Sequence, residues 1–294
     1  MAMTLLPLLL TAVVPRVEIA PGVHMPLINF GVQKNHSLAV ALGGYGLDTA
    51  NVYGDAQQRD VGAAVRQAVA RGIPRSELFV TSKIECCPGS EFMGPTAPFV
   101  CLGKKDPASD LKHNFDVLGL TYVDLMLLHW PCDELEGSVA AYKAMQALLP
   151  SGRVKAIGVS NFNASALAAL MSRISVKPAV NQCGYSIAGH TDRLWGRDDA
   201  TRTACEAANI TYSAYSPLGG YVKGGTSHVL DDATVGAVAK VHNTSTAAVA
   251  LRWVTQQGIV AVTSSDKASH ILGDLASFDL ELTEDEMAKL ATVV

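Results

Sequence analysis

Short apolar segments alternate with longer segments of helical periodicity along most of the chain. The apolar segments are rich in Val, Ile and Leu, which is typical of parallel strands buried on both faces. Strands are predicted at residues 25–30, 46–50, 78–84, 122–129, 156–160, 178–183, 211–217 and 259–264. Helices are predicted from about residue 37 and at residues 57–70, 108–118, 137–149, 164–171, 192–208, 231–242, 246–257, 270–278 and 284–293.

This alternation predicts repeated βα units and therefore a parallel sheet. Eight strands without a linker or a break in composition predict an α/β fold, a single-domain (β/α)8 TIM barrel. An apolar segment at 17–19 with a Pro21-Gly22 turn adds an N-terminal β-hairpin, and the last helix is an extra C-terminal helix. The alternative is a doubly wound open sheet, but no G-x-G-x-x-G fingerprint follows any strand.

Composition agrees with one large core and argues against a nucleic-acid partner. The 294 residues are 49% hydrophobic and 17% charged, which suits a sizeable buried interior. The net charge of −4 gives no basic excess for a phosphate backbone. The apolar run at residues 5–14 is too short to cross a membrane, so no transmembrane span is predicted. Residues 1–15 are predicted to be an apolar, signal-like extension, and 16–294 the barrel.

The N-terminus and the cysteines bear on the compartment. A cytoplasmic location is predicted because the apolar run lacks the basic start of a signal peptide. Secretion is the alternative, given the apolar start, four N-x-S/T sequons and six cysteines. Cys86, Cys87 and Cys101 flank one loop and could bridge only in an oxidising compartment. No metal site is predicted, since neither cysteines nor histidines have zinc-binding spacing.

Polar side chains stand at the C-terminal ends of three neighbouring strands, where the loops of a barrel carry its chemistry. Asp48 ends the second strand and Tyr53 follows it, Lys83 ends the third, and His129 ends the fourth. Each alone is typical of a helix cap or a satisfied core group. A buried charge costs free energy unless it is paired, so the four together predict one shared site.

The chemistry of these four side chains is specific. A tyrosine with a pKa near 10 is a poor acid at neutral pH, and a nearby ammonium group lowers that pKa. A carboxylate keeps the lysine charged and oriented, and a histidine can orient a carbonyl oxygen. Together they predict a proton donor aimed at an oxygen that becomes an alkoxide, as in the reduction of a carbonyl group.

Six motifs surround these and other strand ends: D-T-A-x-x-Y-G at 48–54, T-S-K at 81–83, L-L-H-W-P at 127–131, G-V-S-N-F at 158–162, P-A-V-N-Q at 178–182 and A-Y-S-P-L-G at 214–219. In order and spacing, from about residue 17 onward, the chain resembles the aldo-keto reductase superfamily. The resemblance implies NAD(P)H-dependent reduction of aldehydes or ketones to alcohols. Its alternatives are a nucleotide-binding regulatory subunit with little turnover and, less well supported, a hydrolase that uses Asp48 with a second acid.

The resemblance also implies roles for individual residues. Tyr53 is the general acid/base, Lys83 and Asp48 tune its pKa, and His129 orients the carbonyl group. Cofactor contacts are implied for Gly31, Asp48, Ser160, Asn161, Gln182, Tyr215, Ser216, Leu218, Gly219, Ser264 and Ser265. Substrate contacts are implied for Val52, His129 and Trp130. The partner is a small carbonyl compound, and the protein is expected to be a monomer or a weak oligomer.

Two stretches depart from the family pattern. Where relatives often carry a Lys-Ser run and an Arg that hold the adenosine 2′-phosphate, this chain has Ser264, Ser265 and His270. NADPH is still the expected cofactor, with NADH or dual use as the alternative. The segment 85–107 is a long Gly/Pro/Cys-rich loop that could form one pocket wall or a surface insertion. An open pocket with weak substrate discrimination is expected.

Overall fold

Eight parallel strands close into a barrel in the computed structural model, which describes residues 14–32, 35–86, 106–191, 197–219, 221–222, 225–226 and 228–293. The strands are β1 (Arg16–Ala20), β2 (Val23–Pro26), β3 (Ile28–Gly31), β4 (Gly46–Asp48), β5 (Phe79–Ile84), β6 (Val123–Leu128), β7 (Val154–Ser160), β8 (Val180–Gly184), β9 (Thr211–Tyr215), β10 (Tyr221–Val222), β11 (Gly225–Thr226) and β12 (Val260–Thr263). The barrel runs from β3 to β9 in chain order, and β12 pairs with both β9 and β3 to close it.

The α-helices between and after these strands form the outer layer. They are α1 (His36–Ala41), α2 (Asp55–Ala70), α3 (Pro107–Leu118), α4 (Leu135–Gln146), α5 (Ala164–Met171), α6 (Asp199–Ala207), α7 (Ala233–Val241), α8 (Thr246–Thr255), α9 (Ala268–Leu275) and α10 (Glu284–Leu290). Short 3-10 turns span Asn51–Tyr53, Arg75–Glu77, Leu149–Ser151, Val229–Asp231 and Ala276–Asp279. The predicted (β/α)8 barrel, N-terminal hairpin and extra C-terminal helix are confirmed.

The antiparallel hairpin β1–β2 packs against one end of the barrel interior. Its Ile19 and Met25 share an apolar cluster with Phe79 and Val260, which are the first residues of β5 and β12. The N-terminal ends of the strands are therefore covered by apolar side chains. Polar side chains of the barrel interior lie at the opposite, C-terminal ends of the strands.

Strand alternation decides which side chains face the barrel interior at those C-terminal ends. On β5, Phe79 belongs to the inner cluster while Val80 and Ile84 pack outward against the helices. Because successive side chains point to opposite faces, Lys83 shares the inner face with Phe79. By the same alternation, polar side chains near the C-terminal ends of β4, β7, β8 and β9 face the barrel interior, and so does the side chain of the residue that follows β6. They are Asp48, Ser160, Gln182, Tyr215 and His129.

The predicted helix at 192–208 begins later than expected. Helix α6 starts at Asp199 because Asp198 caps it, accepting a hydrogen bond from the Thr201 N–H at 2.7 Å. Asp198 also forms an isolated bridge with Thr191, and residues 192–196 lie outside the described residues. Asp198 thus belongs to the cap and not to the helix.

A disulfide joins Cys86, just after β5, to Cys132, just after β6, with Cα atoms 5.2 Å apart. Cys87 and Cys101 lie outside the described residues, as do most of the long loop at 85–107 and all of residues 1–13. The proposed role of the loop and the domain division at residue 15 therefore stay predictions. In the part of the chain that is described, no helix is long and apolar enough to span a membrane.

Candidate functional site

The charged side of the barrel mouth consists of Asp48, Tyr53, Lys83 and His129. Lys83 is fully buried and donates hydrogen bonds to Asp48 Oδ1 and, at 3.1 Å, to the backbone oxygen of Thr49. Its Nζ lies 5.1 Å from the centre of the Tyr53 ring. The Tyr53 and His129 rings meet edge to face with centroids 5.6 Å apart. The four side chains predicted to share a site are thus in one cluster.

Burial and charge act against each other on the pKa of each group in this cluster. Burial raises the pKa of Tyr53, Lys83 pulls it back, and the sum stays above the ordinary value. Burial alone would lower the pKa of Lys83, but Asp48 and Tyr53 raise it further than that. Lys83 therefore lowers the pKa of Tyr53, as expected, but the effect of burial is larger and the net pKa is raised. The result is a protonated phenol beside a firmly charged ammonium group.

His129 is held between the charged cluster and the next strand. Its backbone N–H donates to the Ile84 oxygen at 2.9 Å, and its ring stacks on Trp130 with centroids 4.4 Å apart. Burial first, and the Lys83 charge second, hold the pKa of His129 well below its ordinary value. A neutral imidazole results, which has one N–H to donate and one nitrogen lone pair.

The amide side of the mouth consists of Ser160, Asn161, Gln182 and Tyr215. Asn161 Nδ2 donates to the His129 backbone oxygen at 2.9 Å and to Ser160 Oγ at 3.1 Å, and its Oδ1 accepts from the Tyr215 hydroxyl at 2.8 Å. Gln182 Nε2 donates to Asp48 Oδ2 at 2.9 Å. These bonds join the amide side directly to the charged side.

A cavity of about 700 Å³ opens between the two sides. Twelve of the sequence-predicted residues line it: Gly31, Asp48, Tyr53, His129, Ser160, Asn161, Gln182, Tyr215, Ser216, Leu218, Gly219 and Ser264. Lys83 lies behind Tyr53, and Ser265 lies beyond the rim. Trp130 is 1% exposed and packs behind His129, and neither it nor Val52 lines the cavity. Their contact with substrate stays a prediction.

Arg197 adds a positive charge to this cavity that was not among the predicted site residues. Its Nη2 donates to the Tyr215 hydroxyl at 2.9 Å, and the guanidinium lies 5.5 Å from the centre of that ring. Glycine at 184 makes the room, because a Cβ there would lie 2.8 Å from Arg197 Nε and 3.1 Å from the Tyr215 ring. Arg197 precedes the N-cap of α6 and is not part of the helix predicted there, so helical periodicity could not have shown where it lies.

Three non-glycine residues of the lining adopt the left-handed backbone conformation. Their φ angles are 49° for Val32, 64° for Asn161 and 54° for Ser216. For a β-branched residue such as Val32 this conformation is an outlier that costs of order 1–3 kcal/mol. Strain of this kind concentrates where a backbone must hold an unusual shape, so it marks the same cavity as the polar side chains do.

The stretch that follows β12 is different in character. Ser264, Asp266, Lys267 and His270 are exposed to solvent, and α9 begins within the stretch. Lys267 occupies the N-cap of α9 without capping it through its side chain. This stretch extends the cavity rim past Ser264.

Comparison with known proteins shows to which family the chain belongs. The model of the aldo/keto reductase family matches residues 32–294. The chain belongs to the aldo/keto reductase family. It is an oxidoreductase that acts on carbonyl groups with a nicotinamide cofactor.

Relatives of this reductase span nearly the same length. The chain is 33% identical to morphine 6-dehydrogenase of Pseudomonas putida, over 94% of this chain and 90% of that one. It is 31% identical to glyoxal reductase of Bacillus subtilis, over 95% and 93% of the two chains. The crystal structure of an aldo/keto reductase from Brucella melitensis superposes with a TM-score of 0.78 at 27% identity, covering 95% of this chain and 97% of that one.

One residue of this reductase escaped the sequence analysis although it lies against the charged side. Glu85 is 3% exposed, and its Oε1 lies 3.8 Å from His129 Nδ1. The sequence showed no second acid at a neighbouring strand end, because Glu85 follows the end of β5 and reads as the start of the long loop. The available sequence signal for this buried acid was a glutamate directly after a strand that ends in Lys83-Ile84.

Proposed function

We propose that this reductase converts aldehydes or ketones to alcohols with NADPH, and that Tyr53 donates the proton. The buried Lys83–Asp48 ion pair beside Tyr53, at the mouth of the cavity, carries this proposal. An ion pair this deep is costly to desolvate and serves poorly as a stabilising contact. It is well suited to place a fixed positive charge next to a phenol whose oxygen becomes negative during the reaction.

The lining fits a nicotinamide dinucleotide by the chemistry of its groups. Ser160, Asn161 and Gln182 supply hydroxyl and amide groups of the kind that bind a carboxamide, and Tyr215 supplies an aromatic face. Arg197 supplies a guanidinium, which suits an anionic pyrophosphate. The bound cofactor would supply a hydride for the carbonyl carbon. Gly31 and the Ser216–Leu218–Gly219 turn would allow a close approach to the backbone.

The protein groups then handle the carbonyl oxygen. His129 donates an N–H to that oxygen and aligns it. As negative charge builds on the oxygen, the Tyr53 hydroxyl gives up its proton to it, and the Lys83 ammonium stabilises the phenolate left behind. Asp48 keeps Lys83 charged and fixed. The raised pKa of Tyr53 ensures that the phenol is protonated when the reaction begins.

Replacement of Tyr53 by phenylalanine tests this assignment. Tyr53→Phe should lower the rate of NADPH oxidation with a nitrobenzaldehyde by about 10²- to 10⁴-fold, since it removes the proton donor. Binding of NADPH, followed by tryptophan fluorescence, should persist. Tyr45→Phe, a tyrosine outside the cavity lining, serves as the control. Undiminished turnover by Tyr53→Phe would show that another group donates the proton. Absence of turnover by the wild type with several aldehydes and ketones would favour the regulatory-subunit alternative.

We propose NADPH because the resemblance to the family implies it and because of the charged side chains near α9. Lys267 is a cation at the start of that helix, while Asp266 beside it is acidic and His270 replaces a rigid guanidinium fork. We therefore propose NADPH with weaker discrimination against NADH than a fork would give. Parallel titrations with the two cofactors test this, and tighter binding of NADH would overturn it.

We also propose a cytoplasmic location. The Cys86–Cys132 disulfide favours the alternative, secretion, because disulfides persist mainly in oxidising compartments. Acid trapping of free thiols in cells, followed by mass spectrometry, decides between the two. Free thiols at both positions support the cytoplasm, and a bridged pair supports secretion. The proposed partner is a small carbonyl compound, and the proposed state is a monomer or weak oligomer.

A further inference from the structure

A hydrogen bond crosses the barrel mouth between Gln182 and Asp48. Gln182 Nε2 donates to Asp48 Oδ2 at 2.9 Å, and each of the two residues is 2% exposed. In the closed barrel three strands separate β4 from β8 in either direction, so the two side chains come from opposite walls. Because a carboxylate only accepts hydrogen bonds, the NH₂ end of the Gln182 amide must be the one that faces it.

The carboxylate of Asp48 has a donor on each of its oxygens. Oδ1 accepts from Lys83 and Oδ2 accepts from Gln182. The torsion about the Cβ–Cγ bond of an aspartate is soft, so a bond to the long Lys83 side chain alone would leave the carboxylate free to turn. The second bond, from the opposite wall, fixes the plane of the carboxylate and therefore the direction in which Oδ1 meets the ammonium group.

Gln182 is itself held firmly at the end of β8. Its backbone oxygen accepts from the Ser160 hydroxyl at 2.7 Å and from the Asn161 N–H at 2.9 Å, which join this strand end to that of β7. Its amide supplies a donor without a charge, whereas a cation here would compete with Lys83 for Asp48 and an anion would repel Asp48. An amide also has a second N–H and an oxygen, so this bond leaves room for the contact with a carboxamide proposed above.

We propose that Gln182 is a positioning residue for proton transfer, which holds Asp48 across the barrel so that Asp48 keeps the Lys83 ammonium group beside Tyr53. Lys83 Nζ lies 5.1 Å from the centre of the Tyr53 ring, and its attraction for a phenolate falls as that distance grows. A line of contacts thus runs from β8 through Asp48 and Lys83 to the phenol. The inference rests on the proposed role of Tyr53 as proton donor, and it gives Gln182 a role besides the cofactor contact.

A double-mutant cycle between Gln182 and Asp48 separates this role from cofactor binding. Gln182→Met keeps the side-chain length and removes the donor, so kcat for reduction of a nitrobenzaldehyde at saturating NADPH should fall about 10- to 10²-fold. In the Asp48→Asn background, followed by single-turnover stopped flow, the same replacement should change the rate less than about twofold, because Gln182 acts on the reaction through Asp48. Its effect on the dissociation constant for NADPH should be equal in the two backgrounds. Losses in rate that simply multiply would overturn the proposal.

Tyr215→Ala provides the matched control for this cycle. It removes a ring that lines the same cavity and whose hydroxyl bonds to Asn161 and Arg197 rather than to Asp48. Its loss in rate should therefore be the same in the wild-type and Asp48→Asn backgrounds. If Asp48→Asn abolished the effect of Tyr215→Ala as well, the link between Gln182 and Asp48 would not be specific and the proposal would be overturned.

The variant Gln182→Glu gives a second test that needs no change at Asp48. Two carboxyl groups then face each other in a buried site, so one of them keeps a proton to an elevated pH. A protonated Glu side chain has an O–H to donate to Asp48 and replaces the amide, whereas the ionised form repels Asp48. The ratio of kcat in Gln182→Glu to kcat in Gln182→Met should thus exceed one at about pH 5.5 and fall as pH rises.

The ratio isolates the substituted position because both variants keep the other titratable or charged groups of the mouth. These groups are Tyr53 after β4, Lys83 on β5, His129 after β6, Arg197 before α6 and Tyr215 on β9. A ratio that stayed near one over the whole pH range, or rose with pH, would overturn the proposal. Failure of the proposed function shows separately, as wild-type inactivity or as turnover by Tyr53→Phe.

Discussion

The two sides of the barrel mouth control charge in different ways. On the charged side, full ions are buried and each is held by a specific neighbour, as Asp48 holds Lys83. On the amide side, Asn161 and Tyr215 bond to each other and to backbone, and the one full charge is that of Arg197. Beyond Ser264 the rim is exposed to solvent. Both the Lys83–Asp48 pair and Arg197 are therefore shielded from water, whereas the charged side chains that follow Ser264 are exposed, where water and salt weaken their interactions.

Removal of the buried ammonium should have the largest effect of any change to this arrangement. Lys83→Met leaves Asp48 as an unpaired buried carboxylate, so stability should fall by about 3–5 kcal/mol and turnover by at least 10²-fold. Urea unfolding and NADPH oxidation measure the two losses. Lys112→Met breaks an exposed pair with Asp116 and should leave the stability close to that of the wild type. Equal losses in the two variants would contradict the distinction between buried and exposed ions.

The disulfide joins the segments that follow β5 and β6, the strands that lead to Lys83 and His129. Its partners are 46 residues apart, so loss of the bridge in Cys86→Ala/Cys132→Ala should destabilise the protein by about 4 kcal/mol through unfolded-state entropy. Unfolding with and without a reducing agent measures this. Reduction should weaken the wild type and leave the double variant unchanged. Equal stability of the two proteins under oxidising conditions would contradict the prediction.

A second buried acid lies near the cavity, behind β12. Asp274 lies behind Thr263 of the cavity, and burial raises its pKa from 3.8 to about 7. The unfolded chain loses this proton near pH 4 and the folded protein only near pH 7. Stability should therefore fall as pH rises from about 4 to about 7 and then level off. Asp274→Asn should remove this loss and gain about 2–4 kcal/mol over wild type at pH 8 relative to pH 4. Parallel stability curves would contradict it.

The exposed rim should give the smallest effect. His270→Arg supplies a guanidinium fork, so the preference for NADPH over NADH should rise about tenfold, or about 1.4 kcal/mol. The ratio of the two dissociation constants measures it. His228→Arg makes the same change at another exposed position and should leave the ratio unchanged. An unaltered ratio in His270→Arg would place the adenosine end away from α9.

Strand periodicity was sufficient to predict the barrel and three of the four charged-side residues, whereas Tyr53, in the 3-10 turn after β4, was predicted from its spacing to Asp48. Asp48, Lys83 and His129 stand at or just after strand ends, where alternation points them inward. Glu85, Cys132 and Arg197 belong to the adjoining irregular segments. Their positions depend on how loops pack against each other, which no local pattern encodes. The start of α6 was misplaced for a different reason: the local capping signal of Asp198, which accepts from the Thr201 N–H, was given less weight than the helical pattern before it.

The left-handed conformation of Val32 has a consequence for engineering this enzyme. Val32 is 57% exposed, so its side chain contributes little packing to offset the cost of its φ angle of 49°. A glycine there would release that cost without emptying the core, although it would add freedom to the unfolded chain. Selection for thermal tolerance alone would therefore be drawn to this position. Selection for turnover should retain Val32, because its backbone conformation shapes the cavity wall. Residue 32 therefore distinguishes selection for stability from selection for activity.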